Sequence, residues 1–148
     1  MLVRKEKAEE LNSILNFQLA MAKETENIEL DQSIVKRGIT AVFEDPSKGC
    51  YFLVEEGGKV IGSLLTTYEW SDWRNGMILW IQSVYVIPGF RRKGAYSALY
   101  LHIKKMVNEN PSMNGIRLYA DKSNITAHKA YEKLGMNSDH YITFEWLK

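Results

Sequence analysis

Between Trp80 and Ala98 the chain reads W-I-Q-S-V-Y-V-I-P-G-F-R-R-K-G-A-Y-S-A. An apolar strand breaks at Pro-Gly, passes through a basic loop containing glycine, and enters a helix-forming segment. A second apolar run, Gly115–Asp121, follows that helix. Strand, helix and strand in this order imply a parallel pair joined by a right-handed crossover. The loop itself has the makings of an anion site. Backbone N–H groups of the turn and of the first helical turn converge on one spot, where the helix dipole also favours negative charge. Arg91, Arg92 and Lys93 surround that spot with cations, and Gly94 has no Cβ to keep a phosphate from the backbone. The plainer reading is a solvated basic turn after a buried strand.

Periodicity fills in the rest of the chain. Leu2–Lys5 reads as a short strand. Leu11, Ile14, Leu15, Leu19 and Ala22 give Ala8–Ala22 the three-and-four spacing of an amphipathic helix. Lys23–Asp31 is a polar connector, and Asp31 is placed to cap a second helix reaching about Phe43. After the Asp45–Gly49 turn, Cys50–Glu55 and Lys59–Trp70 form a hairpin closed at Glu56-Gly57-Gly58. Ser71–Gly76, ending in Asn-Gly, leads into Met77–Ile87, a strand apolar on both faces, as expected of one covered on two sides. A helix follows the basic loop and breaks at Asn110-Pro111-Ser112. A last helix runs from about Asn124 to Leu134, closed by Gly135, and Tyr141–Leu147 is strand-like. The expected fold is α+β, with a mixed, mostly antiparallel sheet.

Function classes narrow on simple counts. At 148 residues the chain reads as a single domain, 1–148. Nineteen basic against 18 acidic residues leave a net charge of +1, so no global field draws it to nucleic acid or to an anionic membrane. One cysteine, Cys50, allows no internal disulfide and suits a reducing compartment. The start turns charged at once (Met1-Leu2-Val3-Arg4-Lys5-Glu6), and no window approaches a membrane span, so a cytoplasmic location is expected. His102, His128 and His140 share no metal-ligand spacing, and no metal is expected. Ser83 lacks the His and Asp partners of a nucleophile.

The order of elements and two motifs resemble the GNAT superfamily of acetyl-CoA-dependent N-acetyltransferases, over nearly the whole chain and most strongly from Trp80 to Met136. The family's loop pattern is Arg/Gln-x-x-Gly-x-Gly/Ala. Arg91-Arg92-Lys93-Gly94-Ala95-Tyr96 carries its Arg and first Gly, with Tyr96 where Gly or Ala is usual. Asp121 to Met136, D-K-S-N-I-T-A-H-K-A-Y-E-K-L-G-M, resembles the later signature Asn-x-x-Ala-x-x-x-Tyr-x-x-x-Gly-Phe/Met. Asn124, Ala127 and Tyr131 fall on one stripe of a helix. The resemblance implies a sheet with a splayed parallel central pair, flanked by helices. It also implies acetyl-CoA as cosubstrate, bound by Arg91, Arg92, Lys93, Gly94, Ala95, Tyr96, Asn124, Ala127 and Tyr131. Backbone N–H groups at Val84, Tyr85 and Val86 would polarise the thioester carbonyl, and Tyr131 would act as general acid for the leaving thiolate. Asn124 as a plain N-cap and Tyr131 as a core aromatic are the alternatives.

The acceptor side rests on less. Many family members carry a Glu near the start of the central strand, where Trp80 stands here. Gln82, inward by alternation, can position a water but cannot take a proton. The nearest carboxylates are Glu69 and Asp72, and a six-residue loop at 71–76 sets Glu69 opposite Ile78. The resemblance puts the connector between the first two helices along the acceptor cleft, bringing Glu24, Glu26, Glu29 and Asp31 to it. Trp70 and Trp73, around a Ser-Asp tip, would form a wall. A small-molecule or peptide amine is the implied acceptor, a homodimer is compatible, and neither nucleic acid nor membrane is expected as partner. The alternative is a protein that binds acetyl-CoA or CoA and has lost turnover.

Overall fold

The computed structural model describes residues 1–148, which divide into two compact units, Met1–Arg117 and Leu118–Lys148. In the first, five strands stand in the order β1 (Leu2–Lys5), β2 (Cys50–Glu56), β3 (Lys59–Ser71), β4 (Gly76–Val86) and β5 (Met113–Arg117). All neighbours are antiparallel except β4 and β5, which run parallel. Helix α1 (Leu11–Glu26) and α2 (Gln32–Glu44) precede β2, and α3 (Ala95–Glu109) makes the crossover.

Alternation along the strands explains the layers. Tyr51 and Leu53 of β2 form one buried cluster with Ile14 and Leu15 of α1 and Ile39 of α2. Phe52 points to the other face, where its ring lies 5.5 Å from His102 of α3. Strand β4 is buried on both faces through Ile78, Leu79 and Ile81, as its doubly apolar sequence requires.

Two irregularities in β4 matter for the site. Ser63 pairs with Tyr85 and Leu65 with Gln82, so β4 spends three residue steps against two on β3. The extra residue is a bulge, and Ser83 within it takes the left-handed conformation at φ 50°. Beside it, a Cβ on Gly62 would stand 2.6 Å from the Tyr85 carbonyl oxygen, so the two backbones meet where only glycine fits. The second irregularity is a splay. β4 pairs with β5 only from Met77 to Trp80 and runs on to Val86 without it.

The structure corrects three expectations. Helix α1 continues to Glu26, four residues beyond the apolar stripe. Its end is set by Asn27 at φ 52°, whose N–H bonds back to Ala22 and Lys23. Lys, Glu and Thr extend a helix without contributing to its apolar face, so periodicity stops short. The strand read at Gly115–Asp121 is Met113–Arg117, because it exists only where Met77–Trp80 supplies ladder partners. In the second unit, α4 (Ile125–Lys133) is capped by Asn124 and followed by Gly135 at φ 87°. The tail Tyr141–Leu147 is not a strand: it joins no ladder, and Phe144 and Trp146 are 88% and 87% exposed. Alternating apolar residues become a strand only where backbone partners exist.

No helix is long and apolar enough to cross a membrane.

Candidate functional site

The end of β4 turns through a short helical turn at Pro88–Phe90 into the basic loop. Arg92 (φ 61°) and Gly94 (φ 89°) both adopt left-handed backbone, the second as N-cap of α3. A helix opens with N–H groups that have no partner in a preceding turn. Gly94 offers no capping side chain, and no acidic residue occupies the first turn of α3. A Cβ placed on Gly94 would meet nothing within 4 Å, so the space above the loop is open. An uncapped helix start, an open cradle and exposed cations together fit an anionic phosphate group. Tyr96 fits too, since its ring packs toward Tyr100 (6.4 Å) while its amide stays in the first helical turn. Ala95 is buried under the loop.

The three cations differ in their use. Lys93 Nζ donates to the Gly89 carbonyl at 2.9 Å and lies 5.5 Å from the Phe90 ring centre. Arg91 is tied more closely. Its Nε donates to the Val86 carbonyl (2.7 Å), its Nη2 to Glu24 Oε2 (2.5 Å), and its guanidinium lies 5.4 Å from the Tyr85 ring centre. The Tyr85 hydroxyl donates to the other oxygen of Glu24 at 2.9 Å. The Arg91 guanidinium holds the Glu24 carboxyl below the ordinary carboxylate range, and the Tyr85 hydroxyl adds to this. The Tyr85 phenol is pushed up by burial and then by Glu24. Arg92 is exposed.

Across the same face of the sheet runs a second polar group. Glu69 pairs opposite Ile78, in the register expected from the hairpin length. Its Oε1 accepts from the Trp80 indole N–H at 3.3 Å, and its Oε2 from Arg117 Nη1 at 2.5 Å. Gln82 Nε2 donates to Thr67 Oγ1 at 2.6 Å. A carboxylate is thus brought to the side chain of residue 80 from the neighbouring strand. Asp72 lies in the exposed turn, where its Oδ1 accepts from the Trp73 N–H. Trp70 and Trp73 are exposed, Trp73 at 90%, and Glu26 is exposed at the end of α1. Val84 and Tyr85 follow Ser83 in the bulged stretch, and Val86 ends the strand.

Arg117 and Thr67 escaped the sequence reading. Parallel register with β4 and cross-strand pairing with β4 put them beside Glu69 and Gln82, and neither relation leaves a local signal.

In the second unit, Asn124 Oδ1 accepts from the Ala127 N–H at 3.1 Å, so it does cap α4, and that bond uses only one end of its amide. Tyr131 is half-buried on α4, and burial raises its phenol above the ordinary value. A phenol in that state is protonated at neutral pH, as a proton donor must be. His128 Nε2 lies 2.9 Å from the Asp121 carbonyl oxygen. No group of three or more His, Cys, Asp or Glu side chains gathers as a metal would need. The Cys50 thiol donates to Glu6 at 3.3 Å and is pushed up to about 12, chiefly by burial.

A protein from Clostridium difficile 630 described as a possible acetyltransferase is 40% identical, with 99% of this chain and 97% of that one covered at a TM-score of 0.92. A transcriptional regulator from Bacillus halodurans C-125 shares the fold at 17% identity (99% of each chain, TM-score 0.82). So does an aminoglycoside 6'-N-acetyltransferase from Acinetobacter haemolyticus at 13% (100% and 99%, TM-score 0.75). No curated protein matches the sequence. The model of the Acetyltransferase (GNAT) family matches residues 9–136, which take in the bulged strand, the basic loop and the Asn124–Tyr131 helix. This chain belongs to the GNAT acetyltransferase family.

Proposed function

We propose that the chain is an acetyl-CoA-dependent N-acetyltransferase that passes an acetyl group directly to a primary amine of a small molecule or peptide. The observation that carries this is the uncapped, open N-terminus of α3, following a β4 that is bulged at Ser83 and splayed beyond Trp80. Backbone N–H groups of Arg92–Tyr96 and the Arg91, Arg92 and Lys93 cations hold the pyrophosphate. Bound acetyl-CoA supplies an already activated acyl carbon. The chain's task is to align an amine with it, polarise the carbonyl and handle protons. Val84, Tyr85 and Val86, past the bulge, offer the backbone N–H donors.

Glu69 is the base this reading favours. It reaches the position of Trp80 through the indole hydrogen bond and faces the row of Thr67 and Gln82. An ammonium acceptor must lose two protons as its nitrogen forms the new C–N bond and the C–S bond breaks. Glu69 takes one, directly or through a water held by Gln82. The other passes to solvent, which returns to Tyr131 the proton it gives to the departing thiolate, so CoA leaves as the thiol. Asp72, in its exposed turn, is the second carboxylate to test. Glu24, Glu26, Trp70 and Trp73 frame the acceptor side, and Asn124 and Ala127 take the pantetheine arm.

A CoA-binding module without turnover is the second reading. Trp80 in place of a strand Glu favours it, as does the occupation of both Glu69 oxygens by Trp80 and Arg117. Acetyl-CoA, a thiol reagent and a panel of primary amines separate the two, because only an enzyme releases CoA in an acceptor-dependent way. With an active acceptor, Glu69→Gln should lower turnover by ~10²–10⁴-fold and displace the acid limb of the pH profile. Wild-type rates in both Glu69→Gln and Asp72→Asn would remove a carboxylate base from the mechanism.

A further inference from the structure

Glu24 stands in the last turn of α1, with Glu26 two residues on. Carboxylates there oppose the helix dipole, so the helix gives no reason for them. What holds Glu24 is the pair of donors described above, the Arg91 guanidinium on one oxygen and the Tyr85 hydroxyl on the other. The ion pair is open to solvent, with the Arg91 and Glu24 side chains 43% and 38% exposed. Tyr85 is braced from behind by the Phe17 ring at 5.4 Å, and Arg91 is anchored independently through Nε to the Val86 carbonyl. The loop and the phenol can therefore stay in place when the Glu24–Arg91 bond opens.

We infer that Glu24 is shared between the two substrates: it holds Arg91 in the cofactor-free protein and takes the acceptor's ammonium group once a CoA pyrophosphate has claimed Arg91. This rests on the reading of the loop as a CoA site. The exchange follows from charge. Glu24 and a pyrophosphate are anions drawn to the same guanidinium, and the more highly charged of the two competes better for it. Glu24 is then left with a neutral hydroxyl as its partner, beside the bulged end of β4. A carboxylate so placed is best neutralised by an ammonium. The cost of parting Glu24 from Arg91 is met by the first ligand and spared the second, so cofactor and amine bind with positive coupling, each favouring the other equally. Glu24 is thus a specificity residue for cationic acceptors, tied to the cofactor through Arg91.

Calorimetry of CoA binding to wild type, Glu24→Gln and Glu24→Ala tests the first half. Removing the competing carboxylate should tighten CoA by about two- to fivefold in both variants, the scale of one exposed ion pair. Affinity unchanged or weakened in both would make Glu24 a mere support of the loop and overturn the exchange. The second half is read by NMR titration of n-propylammonium, with and without saturating CoA. Wild type should bind the amine more tightly with CoA present, and Glu24→Gln should bind it equally in both states. Equal binding in wild type overturns the coupling. A wild type that binds no CoA at all would instead remove the reading of the loop, and the exchange with it.

Discussion

At the scale of single residues, the site is made of groups whose chemistry is set by what touches them. Burial raises the Tyr131 phenol and keeps it protonated at neutral pH, the state that the proposed general-acid role requires. Tyr131→Phe should leave CoA affinity nearly unchanged while turnover falls ~10²–10⁴-fold, measured where chemistry limits the rate. Unchanged turnover would leave Tyr131 an aromatic packing residue. The residue types and spacing of Arg91–Tyr96 and of Asn124, Ala127 and Tyr131 were visible in the chain, because each motif lies within one loop or one helix. The Glu69–Arg117 pair was not, since its members are 48 positions apart and meet only across three strands.

At the scale of elements, most of the fold follows from local rules. Asp31 caps α2 by accepting from the Ser33 and Ile34 N–H groups, and the Gly57-Gly58 turn and the turn ending at Asn75-Gly76 set both hairpins. The bulge in β4 is different. Nothing near Ser83 announces a left-handed residue, and the close approach at Gly62 belongs to the neighbouring strand. Gly62→Ala would drive a methyl group into the Tyr85 carbonyl. It should cost about 1–3 kcal/mol, the usual scale for overpacking, and disturb the N–H donors of Val84–Val86. Thermal melting followed by circular dichroism should show the loss of stability. The turnover number should fall further than unfolding alone explains at temperatures where the variant remains folded. A variant as stable and active as wild type would show that the bulge can move aside.

For the whole molecule, the N-terminal strand is secured to the sheet by charge as well as by its backbone ladder. Arg4 of β1 donates to Glu10 and to Glu55 of β2, and Glu10 is buried. The hydrogen bond from Arg4 holds the Glu10 carboxyl below its ordinary value. A depressed carboxyl stabilises the fold fully above its unfolded value of roughly 4.3 and loses that contribution as pH falls through the folded value. Chemical denaturation of wild type should therefore show stability declining below roughly pH 4–5, and Glu10→Gln should flatten that decline. Equal slopes in the two proteins would exclude Glu10 as a source of acid sensitivity. By itself the sequence determined the helices, the two hairpins, the parallel crossover, the basic loop and the family motifs, because each depends on neighbours a few residues away. Only the tertiary structure decided the bulge and splay of β4, the limits of β5, the lack of a strand at Tyr141–Leu147 and the meetings of Glu24 with Arg91 and Glu69 with Arg117. Strand register and the packing of α1 on the sheet bring those side chains together, and both are properties of the assembled backbone.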